Sequence, residues 1–353
     1  METVLTIIQG KGTLPREQAG RNIHYDDASL ANYKKVEQGD FIIHLRSFEG
    51  GLEMANEDGI VSPAYTILRC KKPHSSLFYE AYFHTDEFIN HILSKSVEGI
   101  RDGRQISYEA FKWLGLPYCD VSEQERIAQL FCTLSHRIEK QQQMVDALKK
   151  YKRGLFNQIF SAISKSSQCR KLRELVRVSG GKTPSMSNSL YWNGDIVWIS
   201  SKDMKSSRIS GSELKITNLA LNEMTLYHPG TLLLVARSGI LKHSLPLAIL
   251  EVDATINQDI KALQVHGCNA FYLYYAILSQ EDTIIRTLVK TGTTVQSLMM
   301  DSFLNIEIPT PDIDQQQRII DKLAKLEKYV EVQEKELSLL SQMRNGLLQQ
   351  LFI

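Results

Sequence analysis

Pro117 to Phe160 reads PYCDVSEQERIAQLFCTLSHRIEKQQQMVDALKKYKRGLFNQIF, and Pro309 to Phe352 reads PTPDIDQQQRIIDKLAKLEKYVEVQEKELSLLSQMRNGLLQQLF. The two align without a gap at an offset of 192. Thirteen of 44 positions are identical, including Pro117/Pro309, Asp120/Asp312, Arg126/Arg318, Gln141/Gln333, Gly154/Gly346 and Phe160/Phe352, so this is an internal repeat rather than coincidence. In the first copy Ile127, Phe131, Leu134, Ile138, Gln141, Val145 and Leu148 follow each other in steps of four and three. In the second copy Ile319, Leu323, Leu326, Val330, Gln333, Leu337 and Leu340 do the same. A heptad seam of this length predicts two long helices that pair as a coiled coil. At about 1.5 Å per residue each helix would run roughly 55 to 60 Å. Asp120 or Ser122, and Asp312 or Asp314, are the N-cap candidates. Each copy is the other's only partner of matching length. Gln141 and Gln333 both fall near mid-helix, so an antiparallel pairing would let them meet and set the register.

Outside the helices the chain changes character. Residues 1–116 and 170–308 carry short β-like runs, among them Phe41 to Leu45, Ala64 to Leu68, Asp195 to Ile199, Thr231 to Val235 and Leu247 to Leu250, separated by Gly, Pro, Ser and Asn turns. The repeat reaches into them: Gly39 to Ser47 lines up with Gly230 to Ser238, and Phe78-Tyr79 with Phe271-Tyr272. The expected fold class is α+β, with two mixed α/β globules joined by two long antiparallel coiled-coil helices in a pseudo-two-fold repeat. The expected divisions are a first globule at 1–116, a first helix at 117–160, a Ser-rich linker at 161–169, a second globule at 170–308 and a second helix at 309–353. Projecting the offset backwards sets Met1 opposite Asn193. The first globule is therefore expected to be short at its N-terminus, without a counterpart of roughly Lys171 to Trp192.

With 43% apolar and 23% charged residues, the 353-residue chain falls in the ordinary soluble class. Runs such as Thr231 to Ala236 are far shorter than the ~20 apolar residues that span a bilayer, and no leader pattern opens the sequence, so a cytoplasmic protein with no membrane partner is expected. Cys70, Cys119, Cys132, Cys169 and Cys268 form no C-x-x-C pair and read as reduced thiols. The net charge of +1 divides into −3 for residues 1–116, +3 for 117–169, +2 for 170–308 and −1 for 309–353. No segment has the dense basic face of a solitary tight DNA binder.

Catalytic and cofactor patterns are missing. Gly181-Lys182-Thr183 lacks the first glycine of a phosphate loop, and Pro184 stands where that loop's helix should be running. There is no Pro-Pro of an amino-methyltransferase motif, no glycine-rich dinucleotide turn, no G-x-S-x-G and no zinc-ligand spacing among the nine histidines. No catalytic residue, cofactor or metal is expected.

The arrangement resembles the specificity subunit of Type I restriction-modification systems. The resemblance rests on Gly180-Gly181-Lys182-Thr183-Pro184-Ser185, on Tyr191-Trp192-x-Gly194-Asp195-Ile196-x-Trp198-Ile199 and on Ile256-Asn257-Gln258-Asp259-Ile260-Lys261-Ala262-Leu263 in the second globule. In the first it rests on Gly39-Asp40-Phe41, on Arg46-Ser47-Phe48-Glu49-Gly50-Gly51 and on Gly59 to Tyr65. Each helix is introduced by a proline and an Arg-Ile turn, and ends in Gly-Leu-x-x-Gln-x-Phe. The resemblance implies a non-catalytic reader of double-stranded DNA. Each globule would take one half of a split site. The helices would set the spacing and dock two methyltransferase subunits, with restriction/translocase subunits completing the complex.

Arginine, lysine and amide side chains in loops after strands are the candidates for phosphate and base contacts. They are Arg46, Ser47, Gly50, Gly51, Arg101 and Arg104 in the first globule, and Lys182, Lys202, Lys205, Arg208, Arg237, Ser238, Lys242 and His243 in the second. Tyr191, Trp192 and Trp198 read instead as core aromatics. Two rivals remain at this level: a coiled-coil scaffold whose globules bind protein, and an orphan or truncated specificity chain serving a methyltransferase alone.

Overall fold

The computed structural model describes residues 2–19, 27–43, 50–99, 105–290 and 295–352. Arg46, Ser47, Arg101 and Arg104 lie outside them. The first strands are β1 (Leu5–Ile8), β2 (Gly12–Pro15), β3 (Lys34–Val36), β4 (Phe41–Ile43), β5 (Glu53–Met54), β6 (Gly59–Val61) and β7 (Thr66–Leu68). There follow α1 (Ser76–Phe83), the short pair β8 (Val97–Glu98) and β9 (Gln105–Ile106), α2 (Tyr108–Phe111) and the long α3 (Val121–Ser166). The second strand-rich stretch runs through β10 (Cys169–Lys171), β11 (Val176–Gly180), β12 (Trp192–Ile199), β13 (Arg208–Ile209), β14 (Leu214–Ile216), α4 (Asn218–Leu221), β15 (Leu232–Val235), β16 (Leu247–Leu250), β17 (Ala254–Ile256) and β18 (Ile260–Val265). It closes with α5 (Ala270–Leu278), α6 (Glu281–Leu288), β19 (Val289–Lys290), β20 (Ser297–Leu298), α7 (Met300–Phe303) and β21 (Glu307–Pro309), and the chain then enters α8 (Ile313–Leu351). This is the α+β architecture of the sequence reading, and α3 and α8 begin at the repeat offset.

One correction concerns the linker. The serines of 161–169 do not interrupt α3, which is helical through Ser166. Ile163 extends the apolar stripe past Phe160 and is buried, while Ser164 Oγ donates back to the Phe160 carbonyl at 2.8 Å, satisfying its hydroxyl within the helix.

Two compact units divide the chain inside the helices: Met1–Met144 with Gln333–Ile353, and Val145–Val332. Each takes one globule and the helix segments packed on it. In the first unit β4 is the centre of the β5-β4-β7 sheet. Its Phe41 and Ile43 face a core with Phe78, Tyr82, Phe131, Leu348 and Phe352, while Ile42 faces a second cluster with Leu5, Val36 and Val61. The end of α8 is anchored there, with Phe352 against Phe78, Tyr82 and Phe131 at ring-centroid distances of 5.1, 5.4 and 5.9 Å.

In the second unit a five-stranded sheet of order β11-β18-β15-β16-β13 lies beside a three-stranded sheet β14-β12-β17. Leu232 and Leu234 of β15 face α5 and the helix ends, with Tyr272, Tyr275, Phe156, Phe160 and Leu323. Leu233 and Val235 face a second core with Ile199, Tyr227 and Ile256. Covering on both faces is why this strand is apolar without alternation. Tyr191, Trp192 and Trp198 pack with Ile216 and Ala220 in a core of their own, the two tryptophans edge to face at 5.1 Å.

Candidate nucleic-acid interface

The strand register of the second unit gathers its loops at one end of the sheets. Gly180 at the end of β11 pairs with Lys261, and Val235 at the end of β15 pairs with Ile260, at the start of β18. Ile199 and Ile256 pair at the ends of the parallel strands β12 and β17. The loops 181–185, 200–203, 236–246 and 257–259 therefore leave from the same edge. Main-chain bonds tie them together: Asn257 N–H donates to Ile199 O at 2.9 Å, Lys182 N–H to Ile256 O at 3.0 Å and Ala236 N–H to Asp259 O at 2.8 Å.

Each loop is locally built. A Cβ on Gly181 would lie 2.0 Å from the Ile256 carbonyl, so only glycine lets the chain cross that strand end. Beyond it the Trp198 indole N–H donates to the Lys182 carbonyl at 3.1 Å, and Thr183 hydrogen-bonds Gln258 through their side chains. Lys182 is thus held at its main chain while its side chain is exposed. The 200–203 loop folds around Asp203, whose carboxylate accepts from Ser200 N–H at 2.8 Å, Ser200 Oγ at 2.7 Å and Glu213 N–H at 2.9 Å. That carboxylate is consumed by the loop, and Lys202 and Lys205 stand exposed on either side of it. After β15, Arg237 is exposed and forms an isolated bridge to Ser297, and Ser238 Oγ caps a one-turn helix, Gly239–Lys242, by accepting from Ile240 N–H at 3.4 Å. Lys242 and His243 are exposed at its end.

Among the described residues, Lys182, Lys202, Lys205, Arg237 and Lys242 have no carboxylate partner. Arg208 departs from this set. It sits in edge strand β13, bonds Glu251 at 3.0 Å and lies 4.9 Å above the Phe271 ring, so its charge is already engaged within the fold. Gly50 and Gly51 belong to the other unit. Gly51 has φ +84°, and a Cβ there would meet the Phe83 carbonyl at 2.0 Å, which gives this glycine a packing reason independent of any ligand. Among the described residues no group of three or more His, Cys, Asp or Glu is arranged to hold a metal ion, and no helix is long and apolar enough to cross a membrane.

Residues 164–342, just over half of the chain, match the family model described as the Type I restriction modification DNA specificity domain. The chain belongs to that family. A Type I restriction enzyme specificity subunit of Escherichia coli is 32% identical over 252 residues, covering 68% of this chain and 62% of that protein. One from Methanocaldococcus jannaschii is 30% identical over 197 residues, covering 54% of this chain and 45% of that protein. The matched stretch thus spans less than two thirds of either relative. The Type I restriction-modification S subunit of M. genitalium superposes with a TM-score of 0.58 at 16% identity, covering 91% of this chain and 84% of that one. A chain from a structure on assembly and conformational transition of the type I R-M system gives 0.57 at 16%, covering 90% and 83%. At that identity the likeness is one of fold.

In this specificity-family chain the helix seam is placed unit by unit. In the first unit Phe131, Leu134, Gln333 and Leu340 are buried and Ile127, Ile138, Gln141 and Leu337 half-buried. In the second, Val145, Ile319, Leu323 and Val330 are buried and Leu148 and Leu326 half-buried. The pairing is antiparallel in both: Arg137 meets Glu336 at 3.4 Å in the first, and Lys152 meets Glu327 at 2.8 Å in the second. Lys152 occupies a seam position as a charge because Glu327 also accepts from Tyr275 Oη at 3.0 Å, forming a satisfied polar group.

The residues that orient the helices escaped the sequence reading. Gln124 and Gln316, identical under the repeat, are buried at the starts of α3 and α8. Gln124 Oε1 accepts from Ser75 N–H at 2.9 Å and its Nε2 donates to Cys119 O at 2.8 Å. Gln316 makes the matching pair with Asn269 N–H and Pro311 O, both at 2.9 Å. Tyr79 Oη donates to Pro117 O at 2.9 Å and Tyr272 Oη to Pro309 O at 2.7 Å. The signal was available, since an identical polar residue three positions before the first apolar seam residue, in step with the seam, asks for a partner, but the partner's identity was not.

Proposed function

We propose that this chain is the non-catalytic DNA sequence-recognition subunit of a Type I restriction-modification complex. Each globule reads one half of a split site in double-stranded DNA. The helix pair sets the spacing between the halves and docks two methyltransferase subunits, and restriction/translocase subunits join the full complex in the cytoplasm. The observation that carries the reading is the convergence of Lys182, Lys202, Arg237, Lys242 and His243 on loops at one end of the second unit's sheets, on supports already fixed by hydrogen bonds. Lysines at such an edge suit phosphates, and Arg237 suits a guanine edge. Arg46, Ser47, Arg101 and Arg104 are assigned the corresponding role in the first unit. A net charge of +1 gives the chain little electrostatic grip of its own, so tight binding belongs to the assembled complex. Apolar side chains off the helix seam support a protein partner: Leu130, Met144, Leu339 and Met343 in the first unit, and Tyr151, Tyr329 and Val332 in the second, are exposed.

The test is co-expression with a Type I methyltransferase subunit, pull-down through a tag on this chain, and methylome sequencing with and without it. A stable complex and one new two-part methylated motif are expected. Failure to co-purify, or an unchanged methylome, overturns the reading.

A further inference from the structure

Thr183 and Gln258 stand 75 positions apart in the sequence, and strand register brings their side chains together: Thr183 Oγ1 donates to Gln258 Oε1. Both residues are exposed, yet each sits between neighbours that the fold has fixed. Thr183 follows Lys182, whose N–H donates to Ile256 O at 3.0 Å and whose carbonyl accepts from the Trp198 indole at 3.1 Å, and it precedes the buried Pro184. Gln258 follows the buried Asn257, which donates its N–H to Ile199 O at 2.9 Å and accepts from Asp259 N–H through Oδ1 at 3.1 Å. An exposed glutamine is ordinarily free to choose among rotamers. Here the backbone on both sides of the contact is pinned, and the amide head has a partner of its own.

The direction of that bond decides what the pair can offer. With its oxygen turned to the Thr183 hydroxyl, the Gln258 amide turns its NH2 group, two N–H donors in a plane, the other way. Such a head suits a ligand made of acceptors. Adenine, the usual base partner of glutamine, needs the amide oxygen as well as the nitrogen, whereas a phosphate oxygen needs donors alone. The surroundings fit an anion. The four loops at this edge carry Lys182, Lys202, Arg237 and Lys242 against two carboxylates, Asp203 and Asp259, and Asp203 is consumed by its own loop. Asp259, next in the chain, would draw a lysine at position 258 into an ion pair. A neutral amide keeps its N–H groups for an external acceptor.

We infer that Gln258 binds a backbone phosphate of the DNA and fixes the register of the second unit on the duplex, without taking part in the choice of bases. Thr183 is its positioning residue. The inference rests on the DNA-reading role proposed above and adds to it a residue whose contact is independent of sequence.

The test uses the complex assembled with a Type I methyltransferase subunit, its methylated motif, and anisotropy titrations on duplexes with and without that motif across a salt series. Gln258→Ala should weaken binding about tenfold on both duplexes. The motif should stay the same, and so should the log–log salt slope, because a neutral amide releases no counterion. Gln258→Glu, which sets a carboxylate against the phosphate, should weaken binding at least tenfold further. Thr183→Val should lose affinity as Gln258→Ala does, and Thr183→Ser, which keeps the hydroxyl, should retain it. Unchanged binding by Gln258→Ala overturns the inference, as does a base requirement that changes in one half of the motif, which would mark a base contact. Equal losses in Thr183→Ser and Thr183→Val overturn the positioning role. In each of these cases the wild-type complex still reads its two-part motif and the DNA-reading role stands; a wild-type complex with no motif overturns both.

Discussion

Gln141 and Gln333, equivalent residues of the two repeat copies, bond to each other: Gln141 Nε2 donates to Gln333 Oε1 at 2.9 Å and to Gln333 O at 3.0 Å. Any slip of the helices along the seam would break both bonds. Replacing Gln141 by Leu strands the Gln333 amide on the seam and is expected to lower stability by about 1–2 kcal/mol. Replacing both by Leu should recover that loss but relax the register. Urea midpoints of the single and double variants decide it, and a double variant less stable than the single would contradict the register role.

Gln316 satisfies two buried main-chain groups at once, the Asn269 N–H and the Pro311 carbonyl. Gln316→Ala leaves both without a partner, and the expected cost is on the order of 2 kcal/mol. Amide hydrogen exchange at Asn269 should accelerate in step with the drop in thermal midpoint. A drop of only a few tenths would mean that water replaces the side chain.

Arg237→Ala and Lys242→Ala are expected to weaken DNA binding by the assembled complex, with a phosphate contact lowering the log–log salt slope by about one unit for each lysine removed. Arg208→Ala should leave binding unchanged, because its guanidinium is engaged by Glu251 and Phe271. Fluorescence anisotropy across a salt series separates these outcomes. Equal losses for all three variants would dissolve the distinction drawn between the loop cluster and the sheet edge.

Deleting seven residues from the midpoint of each long helix removes one heptad from both sides of the seam, about 10 Å of rise. If the helices set the spacing between half-sites, the methylated motif should reappear with its central gap shortened by roughly three base pairs, given ~34 Å per ten-base-pair turn. An unaltered gap would end the spacing proposal.

Glu53 is buried in the first unit, where it accepts from the Gly10 and Gly12 amides at 2.7 and 3.0 Å and contacts His84 Nε2 at 3.4 Å. Burial pushes the carboxyl up, but the His84 and glycine hydrogen bonds outweigh it, and it falls below its ordinary 4.5. Burial pushes His84 down. Its bonds to Glu53 and to the Glu80 carbonyl, with the charges of both glutamates, raise it above 6.5. The His84 contribution is therefore complete below about pH 6.5 and lost as pH rises through its folded value, and that of Glu53 is complete above about pH 4.5 and lost as pH falls. The first unit should be most stable between these limits. His84→Gln should flatten the alkaline side of the profile, read as protection of the Gly10 and Gly12 amides against exchange. A profile that keeps its alkaline slope in that variant would assign it to other groups.

The sequence by itself determined the two long helices, their seam and the repeat, because a period of 3.5 sustained over several heptads is a local property that survives any packing of the globules. The Gln141–Gln333 layer was legible for the same reason. Leu232 to Val235 could be read as a strand, but its central place, with Leu232 and Leu234 on one core and Leu233 and Val235 on another, was decided by the neighbours that tertiary pairing brings. The same holds for the site. Arg237, Lys182 and Lys202 were each visible as loop cations, yet they are dispersed along the sequence and only strand register sets their loops at one edge. Arg208 looked equivalent on the page, but Glu251 and Phe271, both distant in sequence, engage it.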